Sequence, residues 1–107
     1  MPRQSAPIFP REQQQARALG ERLRAARLRR RIPVVEMAAR VGVTPKTQRR
    51  LEQGDPSVGL ATFLRTLSVL GLAKDLDQVA AHDEIGQRLA DIALPERPRR
   101  STGSQIS

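Results

Sequence analysis

The sequence has no cysteine, tryptophan or tyrosine, and only one histidine, in 107 residues. Without cysteine the chain cannot form disulfides, thiolate zinc sites or cysteine nucleophiles. His82 alone offers no cluster for metal binding or acid–base chemistry. No phosphate-binding glycine motif or nucleophile motif occurs, so we expect no enzyme, no catalytic residue, no cofactor and no metal. No apolar run spans a bilayer and no signal peptide is recognisable, so we expect no membrane partner and a cytoplasmic location.

The apolar residues that remain are almost all aliphatic. With two phenylalanines as the only rings, the core must consist of Leu, Val, Ile, Ala and Met. Such a composition favours small packed helices over a β-sandwich. The length allows one small domain.

Charge is unevenly distributed along the chain. Residues 1–53 contain 13 basic and 4 acidic side chains, residues 54–94 contain 3 and 6, and residues 95–107 contain 3 and 1. This separation predicts an anionic polymer as the partner of the first half and a protein surface as the partner of the second. The alternative is a charged surface that serves solubility only.

Apolar spacing and capping signals predict an all-α chain of five or six short helices. We expect a flexible segment over 1–10 and a first helix from Arg11 to near Arg31, where Pro33 disfavours its continuation. Gly20 lies inside this helix and should weaken it by about 1 kcal/mol relative to Ala. A second helix starts at Pro33 and ends at Gly42.

Four further segments follow the same logic. Thr44 is the predicted N-cap of a third helix that runs to Gly54. A turn-rich loop covers 54–59, and a fourth helix covers about 60–70 with an apolar stripe that includes Phe63. Gly71 stops this helix, a fifth apolar segment follows, and a sixth helix begins near Asp83. Prolines end it, and the tail over 95–107 is expected to be disordered.

The second and third helices carry the features of a helix-turn-helix. Ala38 is small where two helices must cross closely, Gly42 permits the sharp turn, Val43 fills the corner and Leu51 anchors the third helix to the core. The exposed face of that helix is basic, as entry into a DNA major groove requires. We therefore predict base contacts from Pro45, Lys46, Arg49 and Arg50. For Arg49 a phosphate contact or a solvated charge is an equal alternative.

Phosphate contacts orient a protein on DNA without specifying sequence. We predict them from side chains in and next to the helix-turn-helix and from the amide at the start of the second helix: Arg31, Val34, Arg40, Thr44 and Thr47. For the two threonines a base contact is the alternative.

Residues 18–72 resemble the lambda-repressor/Cro-like family, also called XRE-type regulators. The resemblance lies in segments 19–27, 36–38, 41–44 and 50–54 and in the Leu-rich fourth helix. It implies a lambda-repressor-like DNA-binding domain over 11–72 and a structural ion pair between Arg27 and Glu52. Two departures stand out. Pro33 and Val34 replace the usual polar start of the second helix, which removes a glutamine contact to phosphate. Gln48 occupies a position that is usually apolar, so we expect its side chain to be either partly exposed or hydrogen-bonded within the domain.

A finer resemblance links segments 54–58, 67–72 and 83–100 to HipB-type antitoxins. It implies a repressor that binds palindromic double-stranded operator DNA as a homodimer, holds a HipA-like Ser/Thr kinase toxin and autoregulates its operon. A stand-alone XRE-type regulator without a toxin partner is the alternative. A basic nucleoid or RNA-binding protein is a weaker third class, since stacking aromatics are absent.

Residues 73–94 contain more apolar side chains than a terminal segment needs. We predict that this segment dimerises the chain, so that two recognition helices lie one DNA turn or a multiple of it apart. One continuous monomer core is the alternative. The predicted interface residues are Leu72, Leu76, Val79, Ile85, Leu89 and Ile92.

Overall fold

The computed structural model describes residues 7–92, and within that range the chain forms helices joined by turns and short irregular segments, with no strand. This confirms the predicted all-α class. The elements are α1 (Pro10–Arg29), α2 (Val34–Val41), α3 (Pro45–Glu52), α4 (Leu60–Leu70), a 3₁₀ helix (Ala73–Gln78) and α5 (Glu84–Ile92). The fifth predicted segment is therefore the 3₁₀ helix. The tail over 95–107 and most of segment 1–10 lie outside the described residues.

The end of α1 differs slightly from the prediction near Arg31. The helix stops at Arg29, and the amide of Arg31 still donates to the carbonyl of Leu28 over 2.9 Å. Arg31 itself adopts a φ of 55°, in the left-handed region that usually favours glycine. The chain reverses there and places Ile32 in the core. Pro33 is then the N-cap of α2 and not its first residue.

Most of the other predicted helix caps are confirmed. The exception is the end of α3, which stops at Glu52 with Gln53 as its C-cap, short of the predicted end at Gly54. Gly42 and Gly71 end α2 and α4 in the left-handed conformation, with φ values of 93° and 76°. The hydroxyl of Thr44 accepts the amide of Thr47 over 3.1 Å at the start of α3. The carboxylate of Asp83 accepts the amide of Gly86 over 3.0 Å at the start of α5. Local sequence therefore determines where these helices begin and end.

One aliphatic cluster forms the core between α1, α2, α3 and α4. Its buried members are Leu23, Ala26, Ile32, Met37, Val41, Leu51, Leu67 and Leu70. Phe63 and Val43 are half-buried against it. The outer part of the predicted stripe on α4 does not join this core, because Leu60 and Leu64 remain exposed.

The predicted dimer interface is divided by the structure. Leu72 and Leu76 pack against the core of their own domain and are half-buried there, so part of each side chain is covered within the chain itself. Their place in an interface between chains stays a prediction. The compact unit that holds the helix-turn-helix extends to Asp77, beyond the predicted boundary at 72. The second unit begins at Gln78 and contains α5. The remaining predicted interface residues are exposed: Val79, Ile85, Leu89 and Ile92.

None of the helices within 7–92 combines the length and the apolar composition that crossing a bilayer requires.

Candidate DNA-binding interface

The helix-turn-helix is formed by α2, a short turn and α3. The amides of Gly42 and Val43 both donate to the carbonyl of Ala38, over 2.8 and 3.0 Å, which closes the end of α2. Ala38 is only 1% exposed. Thr44 then caps α3, and Leu51 is buried on the inner side of that helix. The residues singled out from the sequence thus occupy the turn and the crossing as predicted.

The outer face of α3 is the basic surface predicted to meet DNA. Lys46 and Arg49 are exposed, whereas Pro45 and Arg50 are half-buried. Successive helical residues are about 100° apart. Gln48, Leu51 and Glu52 are the buried residues of α3, so the basic side chains lie on the other sides of the helix. We call Pro45, Lys46, Arg49 and Arg50 the outer face of α3.

A buried ion pair fastens α3 to α1. Arg27 donates from Nε and Nη2 to the two carboxylate oxygens of Glu52, over 2.7 and 2.8 Å, and from Nη1 to the carbonyl of Ile32 over 2.9 Å. Both side chains are less than a tenth exposed. The hydrogen bond to Glu52 raises the pKa of Arg27 above its ordinary value, although burial opposes this. The bidentate geometry fixes the angle at which α3 is presented.

The same crossing depends on a glycine in α1. A Cβ built on Gly20 would lie 2.4 Å from the carbonyl oxygen of Glu52 and 2.8 Å from that of Leu51. Since both are backbone atoms, no side-chain rotation could relieve the overlap. From the sequence, Gly20 was predicted only to weaken its helix. The close contact with residues more than 30 positions away leaves no local signal in the sequence.

Gln48 is the polar residue at a usually apolar position, and it is completely buried. Its Nε2 donates to the hydroxyl of Thr66 over 3.3 Å, while its Oε1 has no hydrogen-bond partner in the described part of the chain. Of the two predicted outcomes, partial exposure or a hydrogen bond within the domain, the structure has the second. The partner lies on α4, so Gln48 ties the recognition helix to the core.

Arg50 has partners that sequence analysis missed. Its Nε donates to Oδ2 of Asp55 over 2.8 Å, and its Nη2 donates to the hydroxyl of Ser57 over 2.6 Å. The Asp55 carboxylate also accepts the amide and the hydroxyl of Ser57, over 2.8 and 2.7 Å. These bonds from Ser57 and Arg50 lower the pKa of Asp55 to about 2. The sequence Asp-Pro-Ser is typical of a side-chain-stabilised turn and was the available signal.

The predicted phosphate contacts surround the first turns of α2 and α3. Val34 is the first residue of α2, where amides have no helical acceptor. Thr44 and Thr47 form the first turn of α3, and their hydroxyls are 3.0 Å apart. Arg31 is exposed on the turn between α1 and α2.

Arg40 is a predicted phosphate contact whose guanidinium already has a charged partner. Its guanidinium pairs with Glu36 one turn earlier on α2, and both side chains are about half exposed. Its carbonyl accepts a hydrogen bond from Arg65 over 3.0 Å. An exposed pair of this kind contributes little to stability, so DNA phosphate can compete for Arg40.

Arg49 lies on the outer face of α3 and also lines a cleft between α1, α2 and α3. Arg24, Val34 and Gln53 line this cleft with it, together with the Arg27–Glu52 pair, and its volume is about 280 Å³. Arg24 and Arg49 thus bring two cations to the start of α2. Sequence analysis missed Arg24, although its position one turn before Arg27 on α1 indicates a related face.

A model of a family described as a helix-turn-helix domain matches residues 18–81. The chain belongs to this family. The matched range covers α1 from residue 18 onwards, all of α2, α3, α4 and the 3₁₀ helix, and the start of the second unit. As a member of this helix-turn-helix family, the chain is a DNA-binding transcriptional regulator. No curated protein and no solved structure gives a significant match.

Proposed function

We propose that this helix-turn-helix protein is a sequence-specific repressor whose α3 enters the major groove of operator DNA. One observation carries the proposal. The basic side chains of the outer face of α3 project from a helix that the buried Arg27–Glu52 pair holds against α1. Rigid placement of the donors is what base recognition needs, because base edges accept hydrogen bonds at fixed positions. Lys46 and Arg50 supply donors to bases, and Arg49 supplies a base or phosphate contact.

The net charge of +8 supports an affinity dominated by phosphate neutralisation. Arg31, Arg40, Thr44, Thr47 and the amide of Val34 are the proposed phosphate contacts. Binding to any duplex should therefore fall steeply as the salt concentration rises. Preference for one sequence over another should depend on the base contacts made by the outer face of α3.

Lys46→Ala tests the base-contact assignment, with Lys74→Ala as the charge-matched control. Lys74 is an exposed lysine of the 3₁₀ helix, so both variants lose one positive charge. Binding is measured at about 150 mM salt to the selected operator and to a scrambled duplex, where a specific regulator prefers its site by about 10³-fold or more. Lys46→Ala should reduce this preference by about tenfold, as expected for loss of one base contact.

Lys74→Ala should change affinity for both duplexes without changing their ratio. If Lys46→Ala weakens both duplexes equally, Lys46 is a phosphate contact only. If the wild-type protein binds all duplexes alike, the proposed function is refuted in favour of a general basic nucleic-acid-binding protein.

We further propose that α5 joins two copies of the chain over a palindrome. Ile85, Leu89 and Ile92 recur at helical spacing on one side of α5 and are 72%, 60% and 79% exposed. A second copy offers the same apolar face, as a two-fold interface requires. Because Leu72 and Leu76 belong to the domain core, truncation near Gly71 would damage the domain as well as the interface.

Leu89→Glu is the sharper test of the dimer, with Gln87→Glu as its control. Gln87 lies on the opposite side of α5 and receives the same added charge. Light scattering should give a dimer for the wild type and for Gln87→Glu, and a monomer for Leu89→Glu. A dimeric Leu89→Glu variant would place the interface elsewhere.

The antitoxin role is the finest level of the proposal. It is supported by the resemblance of segments 54–58, 67–72 and 83–100 to HipB-type antitoxins, of which 93–100 lies outside the described residues. The chain is co-expressed with the product of the neighbouring reading frame and purified through a tag on this chain. Co-purification of a HipA-like kinase supports the antitoxin role. If the chain purifies without a partner protein and protects a palindrome upstream of its own gene, the result supports the stand-alone regulator.

A further inference from the structure

Arg50 is held by the loop that follows α3, and this contact leaves a defined part of its guanidinium free. Arginine has five N–H donors in a rigid planar fork. Asp55 takes the Nε donor and Ser57 takes one Nη2 donor, and these two lie on the same side edge of the fork. Both Nη1 donors and the second Nη2 donor have no acceptor within residues 7–92. The end edge of the fork, formed by Nη1 and Nη2, is therefore available.

Two parallel donors on that end edge match guanine. Its major-groove edge presents two neighbouring acceptors, O6 and N7, which arginine binds in a bidentate manner. The Arg50 side chain is 38% exposed, so solvent and ligand can reach it despite the contact with the loop. A free arginine must lose rotamer freedom when it binds a base, whereas one held by a carboxylate has already lost it.

The loop that holds Arg50 is itself well ordered by hydrogen bonds. The amide of Asp55 donates to the carbonyl of Arg50 over 3.0 Å, and Oδ1 of Asp55 accepts both the amide and the hydroxyl of Ser57. The carboxylate thus has one oxygen committed to its own turn and one directed at Arg50. Since the pKa of Asp55 is lowered to about 2, the carboxylate stays charged at any pH at which the protein would bind DNA.

We propose that Asp55 is a positioning residue for base recognition, which aligns Arg50 so that its end edge donates to a guanine in the operator. The inference rests on the proposed function, since it requires α3 to contact bases. It makes the loop after the recognition helix a determinant of sequence preference although no atom of Asp55 needs to touch DNA. The competing role for the same contact is a loop clamp that withholds Arg50 from DNA.

Asp55→Asn separates these two roles with little change in shape. The asparagine keeps Oδ1 as acceptor for Ser57, so the turn is preserved, but it presents an NH₂ donor to the Nε–H donor of Arg50. Base preference is measured by selecting bound duplexes from a randomised pool with the wild type, Arg50→Ala and Asp55→Asn. We expect Arg50→Ala to lose the preference for guanine at one position of each half-site. Asp55→Asn should weaken the same preference by about tenfold and leave the other positions unchanged.

Glu36→Gln is the matched control, because it also breaks a carboxylate–arginine pair and also raises the net charge by one. It should strengthen binding to all duplexes and leave every base preference intact. Circular dichroism and thermal melting show whether each variant is folded. A general loosening of the domain would weaken binding to all duplexes equally. A changed preference at a single base position therefore distinguishes a positioning role from a loss of stability.

Each remaining outcome has a defined meaning. If Asp55→Asn selects the same bases as the wild type while Arg50→Ala does not, the positioning role is overturned and the proposed function stands. If Arg50→Ala also selects the same bases, Arg50 is a loop clamp and the inference fails. If the wild type enriches no sequence at all, the proposed function fails and the inference fails with it.

Discussion

Substituting Gly20 by alanine gives opposite expectations from local sequence and from tertiary structure. Gly20 lies in the interior of α1, where alanine is the better helix former by about 1 kcal/mol. Helix propensity alone therefore predicts that Gly20→Ala stabilises the protein. The crossing of α1 over the end of α3 predicts that the same substitution destabilises it.

The size of the effect follows from the contacts of the added methyl group. Its carbon would lie 2.4 Å from the carbonyl oxygen of Glu52 and 2.7 Å from the carbonyl carbon. Non-bonded carbon contacts prefer about 3.5–4.0 Å, so α1 and α3 would have to separate by about 1 Å. Overpacking of this kind costs about 1–3 kcal/mol, and occasionally more. Separation would also strain the Arg27–Glu52 pair, so we expect a net loss of about 2 kcal/mol.

Thermal unfolding followed by circular dichroism measures this loss. For a domain of this size about 2 kcal/mol corresponds to a fall in Tm of roughly 10 °C. Ala18→Gly is the control, because Ala18 is exposed on the same helix and reports helix propensity without a packing term. It should lower the stability by about 1 kcal/mol. A Gly20→Ala variant with an unchanged or raised Tm would refute the argument that close backbone approach requires this glycine.

Three further predictions concern polar groups around α3. Glu52→Gln leaves Arg27 buried without its counter-charge, so urea denaturation should show that the free energy of unfolding falls by about 3–5 kcal/mol. A loss below about 1 kcal/mol, as for an exposed ion pair, would contradict this. Thr66→Val removes the hydroxyl that accepts from Nε2 of Gln48 and should cost about 1–3 kcal/mol. Adding Gln48→Leu should recover most of that loss, because the unpaired side-chain amide is then removed as well. The pKa of Asp55, about 2 when folded, lies below the ordinary value of about 3.9, so its contacts stabilise the fold above about pH 4 and this stabilisation disappears as the pH falls towards 2. The stability difference between the wild type and Asp55→Asn should shrink across that window, and a difference independent of pH would count against the assignment.

Much of the fold follows from short-range signals in the sequence. The caps at Gly42, Thr44, Gly71 and Asp83 are all where local chemistry predicted them. Each depends on a few neighbouring residues, because a left-handed φ or a side-chain acceptor is decided within one turn of the helix. Two helix ends differ from the prediction. Near the end of α1, Arg31 adopts a left-handed conformation that local sequence does not indicate for a non-glycine residue. The third helix, α3, ends at Glu52, before the predicted end at Gly54.

The residues of the candidate interface were predictable in kind but not in their contacts. The sequence predicted that Arg50 is a basic residue on the recognition helix and that the following loop is a turn. The structure joined them through Asp55, and this changes Arg50 from a free cation to an oriented one. Likewise the apolar spacing of Leu72 and Leu76 indicated burial, but it did not indicate against what. An amphipathic pattern indicates which side of a helix is buried, but it does not indicate which other element or chain buries it.

The sequence by itself determined the all-α class, the positions of the helices, the helix-turn-helix and the basic character of α3. These properties depend on period, capping and charge, which are local along the chain. Only the tertiary structure decided that Gly20 must lack a side chain, that Gln48 is buried against Thr66 and that Asp55 holds Arg50. The first two join residues distant in the chain, and the third depends on how the loop folds back onto α3, so each exists only once the elements have packed at a particular distance and angle.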